Sequence, residues 1–203
     1  FWSFKAPVKP VIPANSAWAS SSIDALAEQQ YAAHQLTPAS DADPHTLLRR
    51  LHFDLTGLPP SLESMSQFSE AWKSNPEQAI ASEVDGLLDT PQYGERWARH
   101  WLDVARYAES AGKEVDLSFP NAWRYRNYVI DAFNSDKPYD EFIREQIAGD
   151  LLPAKTDKEW AEHLIATGFL ALGPKALIEQ NPRQFQADLI DEQIDVTTRV
   201  VMG

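Results

Sequence analysis

The chain has 203 residues, 43% of them hydrophobic, with seven Trp, nine Phe and six Tyr, which is enough apolar material for one sizeable core. Its net charge of −12 and pI near 4.8 argue against nucleic acid or an anionic membrane as partner, because binding to polyanions depends on clustered Lys and Arg. With no cysteine, the chain holds no disulfide, thiolate metal site, Cys nucleophile or covalently attached haem.

The sequence also lacks a long apolar run of about eighteen residues, so no membrane span is predicted. The opening FWSFKAPVKPVIP has no uninterrupted apolar stretch of the kind found in signal peptides. Because the chain begins at Phe1 and its last predicted helix is still running at Gly203, we expect it to be a piece of a longer protein. Any export signal would then lie upstream.

The first predicted element is an extended arm over residues 1–20, and the second is a single helical domain over residues 21–203. In the arm, Pro7, Pro10 and Pro13 prevent a helix and favour an extended chain. The arm's aromatic side chains either cover the domain's own core or contact a neighbouring surface, and both readings stay open.

Beyond the arm, apolar residues recur every three or four positions, which is the spacing of one helix face. Capping residues, prolines and glycines divide this pattern into short helices. No stretch alternates at period two, so the predicted fold is all-α: an irregular multi-helix domain of about eight helices with an extended, aromatic and proline-rich N-terminal arm. The predicted helices begin at or next to Ser21, Pro44, Ser61, Pro76, Pro91, Asn121, Pro138, Thr156 and Arg183.

The helix-face pattern also predicts which side chains point inward. In the first helix, predicted to run to about Leu36, Ile23 is expected on the inner side. Leu151 is expected to line the core before Pro153, and Trp160 behind the capping residue Thr156.

The segment 93–110, YGERWARHWLDVARYAES, is the predicted central helix. Its apolar residues share one helix face, and its charged residues can pair one turn apart on the other. The first set is Trp97, Trp101, Val104 and Ala108, and the second is Glu95, Arg99, Asp103 and Arg106.

The common catalytic fingerprints are absent, including a Gly-rich phosphate loop, a G-x-S-x-G elbow and an H-E-x-x-H zinc pair. The candidate catalytic residues are His100 and Asp103, because three residues along a helix bring a carboxylate to an imidazole that it can orient. A core histidine satisfied by one hydrogen bond explains the same pattern, so both readings stay open.

Two further patterns point to ligands. Glu109 and Asp116 are candidate metal ligands, because with Ser110, Gly112 and Glu114 they place oxygen atoms and a Gly in one loop, although an ordinary solvated loop has the same composition. Indole faces stack on sugar rings and guanidinium groups bind carboxylate or sulfate, which indicates a carbohydrate or anion site. Its candidates are Trp97, Trp101, Arg106 and Arg124; core packing of Trp97, Trp101 and Trp123 around buried Arg–Asp pairs is the alternative.

The last predicted helix carries an acidic stripe, Asp188, Glu192 and Asp195, at helical spacing. Like charges at this spacing repel and call for compensation. The stripe is a solvated face, a surface docked on arginines of the same domain, or a contact for a partner.

Four longer strings together resemble one family, the domain of unknown function found beside cytochrome c modules in large exported planctomycete proteins. The chain's first ten residues, FWSFKAPVKP, and its last nine, DVTTRVVMG, resemble the two ends of that domain. The four strings are RRLHFDLTGLPP at 49–60, YGERWARHWLDVARYAES at 93–110, PNAWRYRNYVIDAFNSDKPYDEFIREQIAGDLLP at 120–153 and ATGFLALGP at 166–174.

The resemblance implies a setting and no reaction. In the family, the helix ending as DVTTRVVMG continues into a C-x-x-C-H haem segment, and a cytochrome c module often precedes the arm. This implies a c-type haem in an adjacent segment, a neighbouring cytochrome c module as partner, and an extracytoplasmic location, periplasmic or on the cell surface. The family's acidic D-x-D-G-like run is replaced here by Glu109-Ser110-Ala111-Gly112, which weakens an inherited cation site.

Three functional hypotheses follow. The leading one is a helical module of an exported, cytochrome-c-associated protein that supports extracytoplasmic electron transfer or oxidative polysaccharide processing. The second is an enzyme domain with a pocket around His100, Asp103 and Arg124. The third is a carbohydrate-binding module.

Overall fold

The computed structural model of the protein describes residues 4–13, 18–19, 21–112 and 117–202. Within these ranges the regular secondary structure is helical apart from one isolated bridge between Ser110 and Ser118, which confirms the predicted all-α class. The chain divides into two compact units, Phe1–Asp43 and Pro44–Gly203. The predicted boundary between an arm at 1–20 and a single domain at 21–203 stays a prediction.

The first unit contains helix α1, Ser22–Ala33. Ser21 caps it as predicted, because its hydroxyl accepts the Asp24 N–H while the Asp24 carboxylate accepts the Ser21 N–H. The helix ends before the predicted Leu36, since Gln35 adopts φ 56°. Ile23, expected on the inner side, is exposed, and Ala25 is the buried residue of the helix. Residues 6–13 have no regular secondary structure and lie largely exposed.

The second unit begins with three helices: α2, Pro44–Leu55; α3, Leu62–Ser74; and α4, Pro76–Leu88. They pack around a small core of Leu48, Phe68 and Ala79. Gly57 closes α2 at φ 72°, the left-handed conformation that a Gly reaches most easily after a helix end.

Helix α5 spans Pro91–Val104, shorter than the predicted central helix. Arg106 adopts φ 57°, and the Tyr107 N–H donates to the Leu102 carbonyl, so the chain turns out of the helix. Ala108 therefore lies outside the helix, and Val104 is exposed at its end. The buried face is offset from the predicted one and consists of Gly94 and Ala98, followed by Ala105.

The larger core is built by the remaining helices around α5. Helix α6 begins just after Asn121, as predicted, and its buried face carries the predicted Tyr125, Val129 and Ala132. The elements are α6, Ala122–Asn134; α7, Tyr139–Ala148; a 3-10 turn, Gly149–Leu151; α8, Asp157–Ala166; α9, Gly168–Ala171; and α10, Pro182–Met202. No helix among the described residues is long and apolar enough to cross a bilayer.

Several large apolar side chains lie outside this core although the helix pattern places them inside. Leu151 and Trp160 are exposed, while Glu145, Gln146 and His163 are buried in the same helices or their neighbours. Trp123, which only the core-packing alternative places inside, is exposed as well. The burial of Glu145 and Gln146 is offset by hydrogen bonds, since Glu145 accepts the Tyr128 hydroxyl and Gln146 accepts the Tyr125 hydroxyl. The buried His163 Nδ1, in contrast, has no hydrogen-bond partner among the described residues.

The contact between α5 and α6 includes a side-chain clamp. Asn134 accepts the Gly94 N–H at 2.8 Å and donates to the Pro91 carbonyl at 3.2 Å. A Cβ at position 94 would lie 2.5 Å from the Asn134 side chain, so this close approach requires Gly.

We therefore expect Gly94→Ala to lower the free energy of unfolding by about 1–3 kcal/mol, because Asn134 must give up its two hydrogen bonds. Gly86→Ala is the matched control: a Cβ at this α4 position meets nothing within 4 Å. It should stabilise the protein by roughly 0.5–1 kcal/mol through the higher helix propensity of Ala. Urea unfolding of both variants measures the difference, and equal effects would contradict the clamp.

Candidate functional site

Two buried tyrosines fix the rotation of α6 about its own axis. The Tyr125 hydroxyl donates to Gln146 Oε1 at 2.5 Å. The Trp101 Nε1–H donates to the Tyr125 hydroxyl oxygen and to Gln146 Oε1, each at 3.0 Å. This three-residue cluster joins α5, α6 and α7 in the interior. Burial raises the pKa of Tyr125 well above its usual range.

One turn further along α6, the Tyr128 hydroxyl donates to Glu145 Oε2 at 2.6 Å. Lys137 Nζ donates to the same oxygen at 2.5 Å and lies 5.0 Å from the centre of the Tyr128 ring. His163 Nε2 approaches Glu145 Oε1 at 3.7 Å. Burial raises the pKa of Tyr128 well above its usual range, and the bond to the Glu145 carboxylate raises it further.

Because these bonds hold one side of α6 inward, another side faces a cavity of about 610 Å³ between α6 and α8. We call this cavity the polar groove. On α6 its lining recurs every fourth residue, and α8 supplies the facing side chains. The lining includes Trp123, Asn127, Asp131 and Ser135 from α6, Lys137 after it, and Lys158, Glu162 and Ile165 from α8.

The polar groove combines an exposed indole ring with polar side chains that make no hydrogen bond within the described part of the chain. Trp123 is 44% exposed, and the Arg124 guanidinium lies 5.5 Å from the centre of its ring system. Asn127 and Asp131 make no side-chain hydrogen bond within the part of the chain that the structure describes. Their amide and carboxylate are therefore available to a ligand.

A second cavity, of about 500 Å³, lies between α5, the α6–α7 connection and the end of α10. We call it the aromatic groove. Neighbouring rings contact each other along it: the Trp97 and His100 rings are 5.4 Å apart, and the Tyr93 and Trp97 rings are 6.1 Å apart. Its lining also includes Trp101, Val104, Phe133, Asp136, Lys137, Tyr139, Phe142, Arg199 and Val200.

The residues predicted for catalysis are not brought together. His100 lines the aromatic groove, and Arg124 lines the polar groove. Asp103 is exposed and is not hydrogen-bonded to His100. Asp103 therefore does not orient the His100 imidazole in this structure. The catalytic role of the two residues stays a prediction.

The predicted ligand-binding residues separate into three places. Trp97 and Trp101 line the aromatic groove and Arg124 the polar groove. Arg106 lies under α10 instead: its guanidinium donates to the Glu192 carbonyl at 3.2 Å and lies within 3.9 Å of the Glu192 and Asp195 carboxylates.

This position of Arg106 accounts for two members of the acidic stripe of α10, because docking on an arginine of the same domain is observed for Glu192 and Asp195. Asp188 makes no ion pair among the described residues and accepts the Gln184 side-chain N–H at 2.6 Å. Asp195 is further neutralised by Arg199, which donates to both its carboxylate oxygens at 2.8 and 2.9 Å.

The predicted metal ligands are only partly described. Glu109 is engaged by Arg126 at 2.9 Å and accepts the Tyr107 hydroxyl at 2.9 Å. The pKa of Tyr107 is raised to about 12, mainly by burial and secondly by its hydrogen bond to Glu109. Asp116 and Glu114 lie outside the described residues, among which no cluster of three or more potential metal ligands occurs. The cation site stays a prediction.

Of the polar groove, the sequence predicted Arg124 as a ligand-binding residue and named Trp123 only in the core-packing alternative; it did not indicate Asn127, Asp131 or Ser135. Their signal is present in the sequence: Trp, Asn, Asp and Ser follow each other at intervals of four, which places them on a slowly winding stripe of one helix. A polar stripe with this spacing is usual on any solvated helix, and only the concave surface opposite α8 distinguishes this one.

Comparison with known proteins identifies one relationship. Residues 22–203 match the family model described as PSCyt2, protein of unknown function (DUF1549). No curated protein and no solved structure matches the chain. The match confirms that the resemblance is to an uncharacterised domain family.

The buried tyrosines predict a loss of stability at high pH. Unfolded tyrosines ionise near pH 10, whereas Tyr125 and Tyr128 keep their protons to higher pH in the folded state. Above pH 10 the unfolded state therefore binds fewer protons, and the unfolding free energy falls by about 1.4 kcal/mol per pH unit for each such tyrosine. Urea unfolding between pH 9 and 11.5 measures this slope.

Tyr128→Phe should make the slope shallower by about 1.4 kcal/mol per pH unit between pH 10 and 11.5, because one of these protons is removed. Tyr139→Phe is the control, since that side chain is 63% exposed. An unchanged slope in the Tyr128 variant would show that this hydroxyl is not held protonated by the fold.

Proposed function

The chain belongs to the PSCyt2 family of proteins of unknown function, and from this premise we propose that it is a carbohydrate-binding helical module that serves oxidative polysaccharide processing. The observation that carries the proposal is the polar groove, where an exposed Trp123 is followed at four-residue intervals by unpartnered Asn127 and Asp131. A sugar ring offers both an apolar face for the indole and hydroxyls for the amide and carboxylate.

The dimensions of the groove fit an extended chain. Twelve residues separate Trp123 from Ser135, which corresponds to about 18 Å along a helix. A linear oligosaccharide can lie along this length with one ring on Trp123 and its hydroxyls near Asn127 and Asp131.

The charges of the groove favour hydroxyls over a polyanion. Lys137 is bonded to the buried Glu145, and the exposed Lys158 lies 3.6 Å from Glu162 on its own helix. Arg124 and Asp131 make no ion pair among the described residues, so outside these pairs the groove presents one cation and one acid, Asp131. Phosphate-rich ligands would meet this acid and the net charge of −12, whereas a sugar hydroxyl donates to it.

The biological setting that we propose follows from the resemblance of the sequence to domains beside cytochrome c. In an exported parent protein, this module would hold the polysaccharide substrate while a neighbouring cytochrome c module carries the electrons of its oxidation. Without cysteine the chain does not fit covalent attachment of a c-type haem, which belongs to an adjacent segment, and no step of the sugar binding depends on it.

We expect Trp123→Ala to weaken binding of a hexasaccharide at least tenfold, because stacking on the indole is lost. Binding is measured by calorimetry across neutral and uronic-acid hexasaccharides. Trp160→Ala is the matched control: Trp160 is 53% exposed on α8 and does not line the groove.

The proposal requires that the Trp160 variant binds like the original protein and that Asp131→Ala binds more weakly. Absence of binding across the whole panel, or equal losses in the two Trp variants, would contradict it. Circular dichroism of each variant establishes that the helical fold is retained.

A further inference from the structure

The aromatic groove is a second concave surface whose chemistry differs from that of the polar groove. Its walls are rings from α5, α6 and α7, with Trp101 and Phe142 at 4.7 Å between ring centres and Phe133 and Phe142 at 6.3 Å. Tyr139 stands at the edge and is 63% exposed. The negative faces of aromatic rings attract cations as well as apolar groups.

The charged side chains of the groove decide between a cationic and an anionic occupant. Lys137 is matched by Glu145 at 2.5 Å, and Arg199 by both oxygens of Asp195. Asp136 makes no ion pair with any described residue. Lys137 and Arg199 are thus neutralised by their own partners, whereas the Asp136 carboxylate in the groove has no ion-pair partner in the described part of the chain. This carboxylate and the protein's net charge of −12 both attract a cation.

The backbone at Asp136 supports a role for this carboxylate. Asp136 follows the end of α6 with φ 48°, and the next N–H, that of Lys137, donates to the Ala132 carbonyl at 3.0 Å. Gly is the usual residue at such a left-handed position after a helix, because a side chain there is strained. Asp is, with Asn, one of the residues other than Gly that visit this conformation, and here it places a carboxylate at the groove.

We propose that the aromatic groove binds a small organic cation of the quaternary ammonium class, with its alkyl groups against the rings and its charge near Asp136. The volume of about 500 Å³ lies in the range of small-molecule sites, and the lining of aromatic side chains with few polar groups is typical of them. The two grooves share Ala132 and Lys137, but Asp136 and the rings of Trp97 and Phe142 line the aromatic groove and not the polar groove, so this proposal does not rest on sugar binding.

The test titrates the whole chain with benzyltrimethylammonium at pH 8 and constant ionic strength, followed by Trp fluorescence and by NMR. Benzyl alcohol and benzoate serve as neutral and anionic counterparts, and a lysine-rich peptide tests a protein partner. We expect saturable binding of the ammonium compound, at least fivefold tighter than that of either counterpart or of the peptide.

Asp136→Asn removes the charge and keeps a residue that tolerates positive φ. It should weaken the binding of benzyltrimethylammonium at least fivefold. Asp85→Asn is the matched control, since Asp85 is also an exposed acid but lies on α4 and does not line the groove. Absence of saturable binding, equal binding of benzyl alcohol, stronger binding of benzoate or the peptide, or an unchanged affinity in the Asp136 variant would each overturn the proposal. Thermal unfolding confirms that both variants are folded.

Discussion

The structure depends on the rotation of α6 about its axis, which two buried hydroxyls fix. Tyr125 and Tyr128 each donate to a buried side chain of α7, Gln146 and Glu145 respectively. A hydrophobic face alone tolerates small rotations, because dispersion and burial are not directional. A hydrogen bond to a buried acceptor is directional, and losing it leaves that acceptor unsatisfied. The two tyrosines therefore specify one orientation of α6 against α7.

This orientation determines both grooves. With Tyr125 turned inward, Trp123 and Asn127 lie along the polar groove, and the end of α6 carries Asp136 into the aromatic groove. Lys137 lines both grooves while its ammonium is bound to Glu145. The buried Glu145 carboxylate thus neutralises the Lys137 ammonium, which would otherwise add positive charge to each groove. Both grooves therefore depend on the same ion pair.

Much of the fold could be predicted because helix ends have local causes. Ser21, Ser61 and Thr156 cap their helices as expected, since each hydroxyl accepts an N–H three residues ahead. The end of α5 could not be predicted, because apolar spacing continues past Arg106 while the backbone turns there. The exposure of Trp123 and Trp160 was also not predictable from periodicity, since it depends on which polar side chains find buried partners. Helix-face spacing does not indicate that Glu145 and Gln146 are buried, because their partners Tyr128 and Tyr125 lie on another helix.

In the proposed function, α6 presents Trp123, Asn127 and Asp131 to a polysaccharide. Hydrogen–deuterium exchange of the chain, with and without a saturating amount of the hexasaccharide that binds most tightly, tests this directly. We expect slower exchange in α6 and α8, on the two sides of the polar groove, and unchanged exchange in α2, α3 and α4. Protection confined to another part of the chain, or no protection at a concentration that saturates binding, would contradict it.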